Sequence, residues 1–278
     1  MAAVLAGLFR GWIETRHTLT DTVSVIGYFA SPVIFVIVLL FMRGMTVPGT
    51  EFALGAMVLP SLVGMSIAFG GLTGAAGTIA ADREDGTLLR AKATPNGMVG
   101  YLVGKIVMFA ATALVSVVLL VIPALTVAGE LQLGPRTWLL LALVFIVGMV
   151  STVPISVVLG SLIKSAAQTA LLFLASILLI VPSGIFYPIT AMPVWLQYLG
   201  QAFPFYWLGL GARSAMLPEA MAAIEIGGSW RTFEMFLVLG VWAVIGMALA
   251  PRVLRRMARR QSGATVAAAR ERIMSKGY

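Results

Sequence analysis

The chain has 278 residues, of which 60% are hydrophobic and only 11% charged, and it contains no cysteine. Soluble domains carry about 25% charged residues, so a soluble fold of this size could not hide so much apolar surface from water. The composition therefore predicts an all-α integral membrane protein and excludes disulfides and thiolate metal sites.

The first segment, residues 1–22, is predicted to form an amphipathic helix in the membrane interface. Leu5, Phe9, Trp12 and Ile13 recur at helical spacing among polar residues, which make the stretch too polar to span. Trp12 is expected at headgroup depth. A signal peptide carries charges before its apolar run, whereas the first charge here is Arg10, so we expect the segment to be retained.

Six apolar stretches follow, and each approaches or exceeds the roughly 20 residues that cross a bilayer. They cover residues 23–42, 52–80, 101–127, 138–163, 167–187 and 233–253. The second contains Gly70, Gly74 and Gly77 close to one helix face, which predicts tight helix packing within the chain or at a dimer seam. Residues 23–253 thus form one six-span membrane domain, and a basic tail follows at 254–278.

The basic residues alternate between the two sides of these spans. Fifteen Lys and Arg residues lie in the first segment, near the loops after the second and fourth spans, and in the tail, against four on the opposite side. Cytoplasmic segments carry such an excess, so both termini are predicted to be cytoplasmic. The net charge of +8 thus reflects topology, and the tail could also bind anionic lipid; nucleic acid is not an expected partner.

Two connections differ from short loops. The inner connection, about 81–100, is the most polar internal stretch, and its residues 82–95 are expected to form one short helix. The outer connection, 188–232, is apolar and aromatic, which predicts short helices, divided at Pro193 and Pro204, that re-enter the outer leaflet. Function is expected in these two connections.

The residues needed for catalysis, metal binding or ion coupling are not apparent. We expect no ionisable side chain in the interior of the spans, which argues against ion-driven transport. The stretch from Gly100 to Lys105 lacks the spacing of a phosphate loop, and Ile106 stands where a magnesium-binding hydroxyl would be needed. Any energy for work must therefore come from a partner.

The inner connection resembles a signature of the type-2 family of ABC exporter permeases. It has an acidic and basic cluster, Gly86-Thr87-Leu88, a basic residue, Thr94-Pro95, and then Gly104-Lys105. Asp82 and Asp85 stand where many relatives carry Glu. A second landmark of that family matches the outer connection, in Pro182-Ser183-Gly184, Pro188, Met192 to Leu196, Pro204, Tyr206 and Arg213. With six spans and the amphipathic start, the resemblance covers essentially the whole chain.

This resemblance implies a permease in a prokaryotic plasma membrane that dimerises and docks an ATP-binding-cassette ATPase. The chain would bind no cofactor and catalyse nothing itself, since ATP and Mg²⁺ belong to the ATPase. Gly86 permits an unusual backbone conformation, Thr87 is expected to cap the following helix, and Pro95 to mark its end. The residues implied in ATPase coupling are Arg83, Glu84, Asp85, Gly86, Thr87, Arg90 and Pro95. Those implied in an outer gate are Pro188, Pro193, Trp195, Pro204 and Tyr206.

The leading hypothesis is ATP-driven export of hydrophobic or amphipathic compounds, including drugs and antibiotics, with most similarity to the daunorubicin-type multidrug branch. One alternative is a flippase or exporter for a lipid or lipid-linked glycan of the cell envelope. An alternative of another class is a membrane partner that regulates an ATPase and transports nothing. The second permease subunit can be another copy or a homologue, and the sequence leaves both open.

Overall fold

The computed structural model describes residues 2–42, 44–45, 54–84, 86–124, 131, 133–163, 166–180, 183–184 and 189–259. These residues form helices and turns, and no strand occurs among them. The α-helices are α1 (Ala2–Thr20), α2 (Thr22–Phe41), α3 (Leu54–Glu84), α4 (Thr87–Lys92), α5 (Gly97–Ala124), α6 (Pro135–Leu162), α7 (Ala166–Ile180), α8 (Val194–Ala202), α9 (Pro204–Met216) and α10 (Thr232–Arg259). The expected all-α class is confirmed.

Local chemistry explains where several helices begin. Asp21 is the N-cap of α2: its carboxylate accepts hydrogen bonds from the Ser24 hydroxyl at 2.7 Å and the Ser24 amide at 2.9 Å. These bonds stabilise the ionised form and hold the pKa of Asp21 below its ordinary value. Helices α6 and α9 begin with Pro135 and Pro204, where a missing amide hydrogen costs no helical bond.

Five described helices are long and apolar enough to cross a membrane. These candidate spans are Thr22–Phe41, Leu54–Ile79, Gly97–Pro123, Pro135–Leu162 and Thr232–Arg259. They correspond to the predicted first, second, third, fourth and sixth spans. Helix α7, which overlaps the predicted fifth span, has 15 residues, or about 22 Å at 1.5 Å per residue. That is short of the roughly 30 Å hydrocarbon core, so the count of six spans stays a prediction.

Helices α3 and α6 form the centre of the bundle and approach closely through small residues. A side chain at Gly71 would collide with Thr152, and one at Gly160 would lie 2.7 Å from the Ala76 Cα. The Ser156 hydroxyl also donates a hydrogen bond to the Leu72 carbonyl. Helix α5 packs on another face of α3, while α10 packs on α6 and α2 on α5.

The two ends of the bundle are built differently. Helices α1 and α4 lie at one end, called the inner end below, and α8 and α9 belong to the other, the outer end. The outer helices are separated at Pro204, as the sequence predicted, and Pro193 is the N-cap of α8. Short 3₁₀ turns, Ile189–Ala191, Glu219–Ile224 and Ile226–Gly228, complete the outer connection.

The inner connection differs from the single helix expected over 82–95. Residues 82–84 continue α3 without a break, and α4 contains only Thr87–Lys92. Gly86 is the N-cap of α4 with a φ of 79°, so the predicted special conformation is present. Thr87 is therefore the first residue of α4, and the expectation that it caps the helix is wrong. Helix α4 ends at Lys92, before Pro95.

Candidate functional site

Helix α1 is attached to the inner end of α5 by a contact between glycines. A Cβ atom on Gly7 would lie 2.6 Å from the Gly100 carbonyl oxygen, and one on Gly11 would lie 2.7 Å from that of Gly104. Both pairs have the four-residue spacing that allows two helix backbones to touch. Thus the stretch rejected as a phosphate loop is a helix-packing surface.

The same contact leaves the apolar side of α1 free. Leu5, Phe9, Trp12 and Ile13 are exposed, while Thr15 and Thr18 are buried with the glycines. The hydroxyls of both threonines donate to carbonyls one turn earlier, so burial leaves them satisfied. The exposed apolar side chains fit the expected position of α1 in the membrane interface.

A buried ion-pair network, the inner polar cluster, lies where α1, α3 and α5 meet. Its members are Arg10, Glu14, Asp82, Tyr101 and Lys105. The Lys105 Nζ, on a residue that is 3% exposed, lies 2.7 Å from Asp82 Oδ2 and 3.0 Å from Glu14 Oε2. One cation therefore joins a carboxylate on α1 to one on α3.

The other two members complete the network. The Tyr101 hydroxyl donates to Asp82 Oδ2, and the Arg10 Nε donates to Glu14 Oε1 at 2.7 Å. The guanidinium of Arg10 lies 4.9 Å from the centre of the Tyr101 ring, a cation–π distance. Every charged group therefore has an oppositely charged partner, which a buried charge requires.

Two opposing effects determine the pKa of Glu14. Burial acts to raise the pKa of this carboxyl, but the charges of Lys105 and Arg10 and their hydrogen bonds lower it. The net pKa is below the ordinary value. The carboxylate is therefore ionised at neutral pH, and its ionisation stabilises the folded state.

The cluster was not identified from the sequence. Lys105 is the ninth residue of α5 and lies inside the candidate span Gly97–Pro123. The expectation that the spans carry no interior ionisable side chain is therefore wrong for α5. An ionisable residue within a membrane helix is itself a signal for a buried partner, and this signal could have found the site.

Helix α4 lies beside the cluster and is anchored to its neighbours on one side. Leu88 and Ala91 are buried, whereas Arg90 and Lys92 are exposed. The Lys92 Nζ donates to the Ala258 carbonyl near the end of α10 at 3.2 Å. Contacts with α3, α5 and α10 therefore hold α4, and its other side is open to solvent.

The residues predicted for ATPase coupling are distributed around α4. Gly86 is buried, Thr87 is half-buried, and Arg90 and Pro95 are exposed. Arg83 and Glu84 end α3, with side chains outside the described part of the structure, and Asp85 lies outside the described residues altogether. The Arg90 guanidinium donates to the Thr87 hydroxyl at 3.0 Å within α4.

At the outer end, a second buried ion pair holds the aromatic connection against α3. The Arg213 Nε donates to Glu225 Oε1 at 2.7 Å, with side-chain exposures of only 4% and 5%. The Arg213 Nη1 also donates to the Ser61 hydroxyl and the Gly184 carbonyl, each at 3.3 Å. Arg213 was part of the family landmark, whereas Glu225 was not singled out.

The predicted outer-gate residues occupy contrasting environments. Trp195 and Pro193 are exposed, Pro204 and Tyr206 are buried, and Pro188 lies outside the described residues. The Tyr206 ring meets that of Trp207 edge-on, at 5.0 Å between centroids. These positions do not converge on one site, and their gating role stays a prediction.

The three predicted packing glycines also differ. A Cβ on Gly70 would lie 3.0 Å from the Ala113 Cβ, and one on Gly74 would lie 2.5 Å from Phe109. Both residues therefore face α5 of the same chain, whereas Gly77 has open space beside it. Within the described ranges, no three His, Cys, Asp or Glu residues lie close enough to hold a metal ion.

Comparison with known proteins assigns this architecture to a family. A family model described as "ABC-2 family transporter protein" matches residues 48–250, more than two thirds of the chain. The match includes α4, the inner connection and the aromatic outer connection. No curated protein sequence matches significantly. The chain therefore belongs to the ABC-2 transporter family and is a multi-pass membrane protein of that kind.

Proposed function

We propose that the chain is the transmembrane subunit of an ATP-driven exporter and that α4 receives the force from a separate ATP-binding-cassette ATPase. The observation that carries the proposal is the two-sided character of α4. Its buried side is anchored by Leu88, and its open side presents Arg90. A soluble partner that binds the open side acts directly on the membrane helices.

Movement at α4 reaches four helices through described contacts. The end of α3 and the beginning of α5 flank α4 in the chain, and both contribute to the inner polar cluster. The Glu14–Lys105 pair adds α1, and the Lys92 bond adds α10. Because ion pairs and hydrogen bonds connect these elements, we expect them to move as one unit.

Helix α3 can carry this movement to the outer end. It has 31 residues, about 46 Å at 1.5 Å per residue. About a third of the way along α3, a Cβ on Gly64 would lie 2.6 Å from the Gly209 Cα of α9. Because the two backbones are in contact there, tilting of α3 displaces α9, which supports a gating role for the outer connection.

The proposed cargo is hydrophobic or amphipathic, because the described spans present mainly apolar side chains. Drugs or antibiotics, as in the daunorubicin-type branch, and lipid-like compounds both fit this chemistry. The proposed assembly contains a second permease, either another copy or a homologue, and lies in a prokaryotic plasma membrane with both termini cytoplasmic. The basic tail would then face the ATPase and the inner lipid surface.

A charge reversal on α4 tests the coupling. The full-length chain is co-expressed with candidate ATP-binding-cassette ATPases from the same genome, and co-purification and cargo-stimulated ATP hydrolysis are measured. Arg90→Glu should reduce both, because it reverses the charge of the open side of α4. Arg136→Glu is the matched control, since Arg136 is also exposed but begins α6, away from α4. Equal behaviour of the two variants contradicts the proposal.

Transport into vesicles separates the alternative functions. The wild-type complex is reconstituted, and ATP-dependent movement of fluorescent drugs and of labelled lipids is measured in parallel. Movement of drugs supports the multidrug hypothesis, and movement of lipids supports the flippase. A non-transporting regulator would keep the ATPase bound and change its rate without moving either probe.

A further inference from the structure

A cavity of about 330 Å³ lies between α2, α3 and α5, apart from both ends of the bundle. Helix α2 contributes residues from Gly27 to Phe35, and α3 contributes residues from Met65 to Gly74. Ala113 and Ser116 of α5 form the back wall. Its volume lies at the lower end of the roughly 300–1,000 Å³ typical of small-molecule sites.

The cavity is long and exists because small residues line it. Its lining covers eight residue steps on α2 and nine on α3, about 12–14 Å at 1.5 Å per residue. Gly27, Gly70 and Gly74 present no side chain to it. A Cβ added to Gly27 meets no atom within 4 Å, so the space beside α2 is open.

The lining favours a hydrocarbon ligand. Tyr28, Phe35, Met65 and Phe69 provide most of the large side chains, and none of the described residues that line the cavity is charged. Two of the four hydroxyl-bearing residues that line the cavity, Ser66 and Ser116, already donate to the carbonyls of Leu62 and Thr112 in their own helices; the other two are Tyr28 and Ser31. The Ser66 and Ser116 hydroxyls therefore require no polar group from a ligand.

The cavity is also accessible from the side of the bundle. Gly27 and Ser31 are exposed, and so are most of their neighbours along α2. In a membrane this side faces lipid or a second subunit. A chain can therefore enter laterally without crossing a polar surface.

We propose that this cavity binds one hydrocarbon chain of a lipid-like amphiphile, with the chain aligned along α2 and α3. A chain fits the elongated shape, the uncharged lining and the lateral opening together. The further claim that this chain is the tail of the exported cargo rests on the proposed function. Binding of the chain itself needs no ATPase.

Photolabelling of the full-length chain in nanodiscs tests the site. The discs contain phosphatidylcholine with a diazirine halfway along one acyl chain, and labelled peptides are identified by mass spectrometry. Labelling of the cavity-lining residues is measured relative to the exposed residues of α10, which report general contact with the bilayer. In the wild type, the cavity residues should be labelled more strongly.

Filling the cavity should abolish this excess. Gly27→Leu should lower the relative labelling about tenfold, which corresponds to about 1.4 kcal/mol of lost binding. Ser31→Phe fills the same space from the next turn and should act similarly. Gly240→Leu is the matched control, because Gly240 also has open space but lies on α10. Thermal unfolding checks that all three variants remain folded.

A single-chain probe identifies the source of the chain. If a diazirine-bearing palmitate labels the cavity and the phospholipid does not, the ligand is a single-chain amphiphile; labelling by the phospholipid identifies bilayer lipid. The proposal is overturned if neither probe labels the cavity above α10, or if Gly27→Leu behaves like Gly240→Leu. Loss of ATPase binding in Arg90→Glu is measured separately, so failure of either proposal is recognisable by itself.

Discussion

Replacement of Lys105 by Met tests the inner polar cluster most directly. Met has a similar length but carries no charge, so the carboxylates of Glu14 and Asp82 lose their shared cation. Removal of one partner of a buried ion pair costs about 3–5 kcal/mol. The Glu14 and Asp82 side chains remain 23% and 15% exposed, and water screens them, so we expect the lower end, about 3 kcal/mol.

The cost is measurable as a shift in thermal unfolding. The full-length chain is heated in nanodiscs, and unfolding is followed by the fluorescence of its six tryptophans. At about 2–4 °C per kcal/mol, Lys105→Met should lower Tm by about 6–12 °C. Lys92→Met is the control: Lys92 is exposed and makes one bond to a carbonyl. Its cost should be about 1 kcal/mol or less.

A rescue experiment separates charge from packing. When Glu14→Gln and Asp82→Asn are added to Lys105→Met, no carboxylate is left without a cation. Arg10 loses Glu14, but its side chain is 29% exposed and water screens the charge. Part of the lost stability should therefore return. If Lys105→Met unfolds at the same temperature as Lys92→Met, the buried-charge argument is wrong. The same conclusion follows if the neutral triple variant is no more stable than Lys105→Met alone.

Three further perturbations have defined outcomes. The pKa of Glu14 in the folded state is below its ordinary value of 4.5. The ionised Glu14 therefore stabilises the fold fully above pH 4.5, and this stabilisation is lost as the pH falls through the folded-state pKa. The Tm difference between wild type and Glu14→Gln should therefore be large at neutral pH and should close below pH 4.5. Gly7→Leu should force α1 off the α5 backbone and make α1 sensitive to proteolysis, at a cost of about 1–3 kcal/mol; Gly77→Leu, which has open space, should leave protection unchanged. Glu225→Gln should destabilise the fold by about 3–5 kcal/mol, because it leaves the Arg213 charge buried without its partner, and Tm of the purified chain measures this loss.

Sequence patterns determined the features that depend on local chemistry. Five of the six predicted apolar stretches coincide with long membrane-type helices, because each helix must match the bilayer whatever its neighbours are. The left-handed backbone at Gly86 and the helix break at Pro204 were also predictable, since both follow from the residue's own geometry. The family resemblance relied on these same local motifs.

The ends of helices were harder to predict where the sequence becomes polar while the backbone stays helical. The predicted sixth span ends at residue 253, among the first basic residues of the tail, whereas the helix itself continues to Arg259. Helix α3 likewise continues to Glu84. Hydrophobicity indicates where a helix can lie in lipid, whereas the hydrogen bonds of the helix do not require apolar side chains.

Only the tertiary structure decided which residues meet. Lys105 is 91 residues from Glu14 and sits on a different helix from Asp82, so no local spacing connects the three. The glycines also left their partners open, because glycines four residues apart can pack against many different helices. Only the folded chain shows that α1 packs on the glycines of α5 and that Gly70 and Gly74 face α5 of the same chain. The sequence by itself thus determined a multi-span helical membrane protein. The folded bundle decided the ion pairs and the cavity, because both depend on contacts between distant segments.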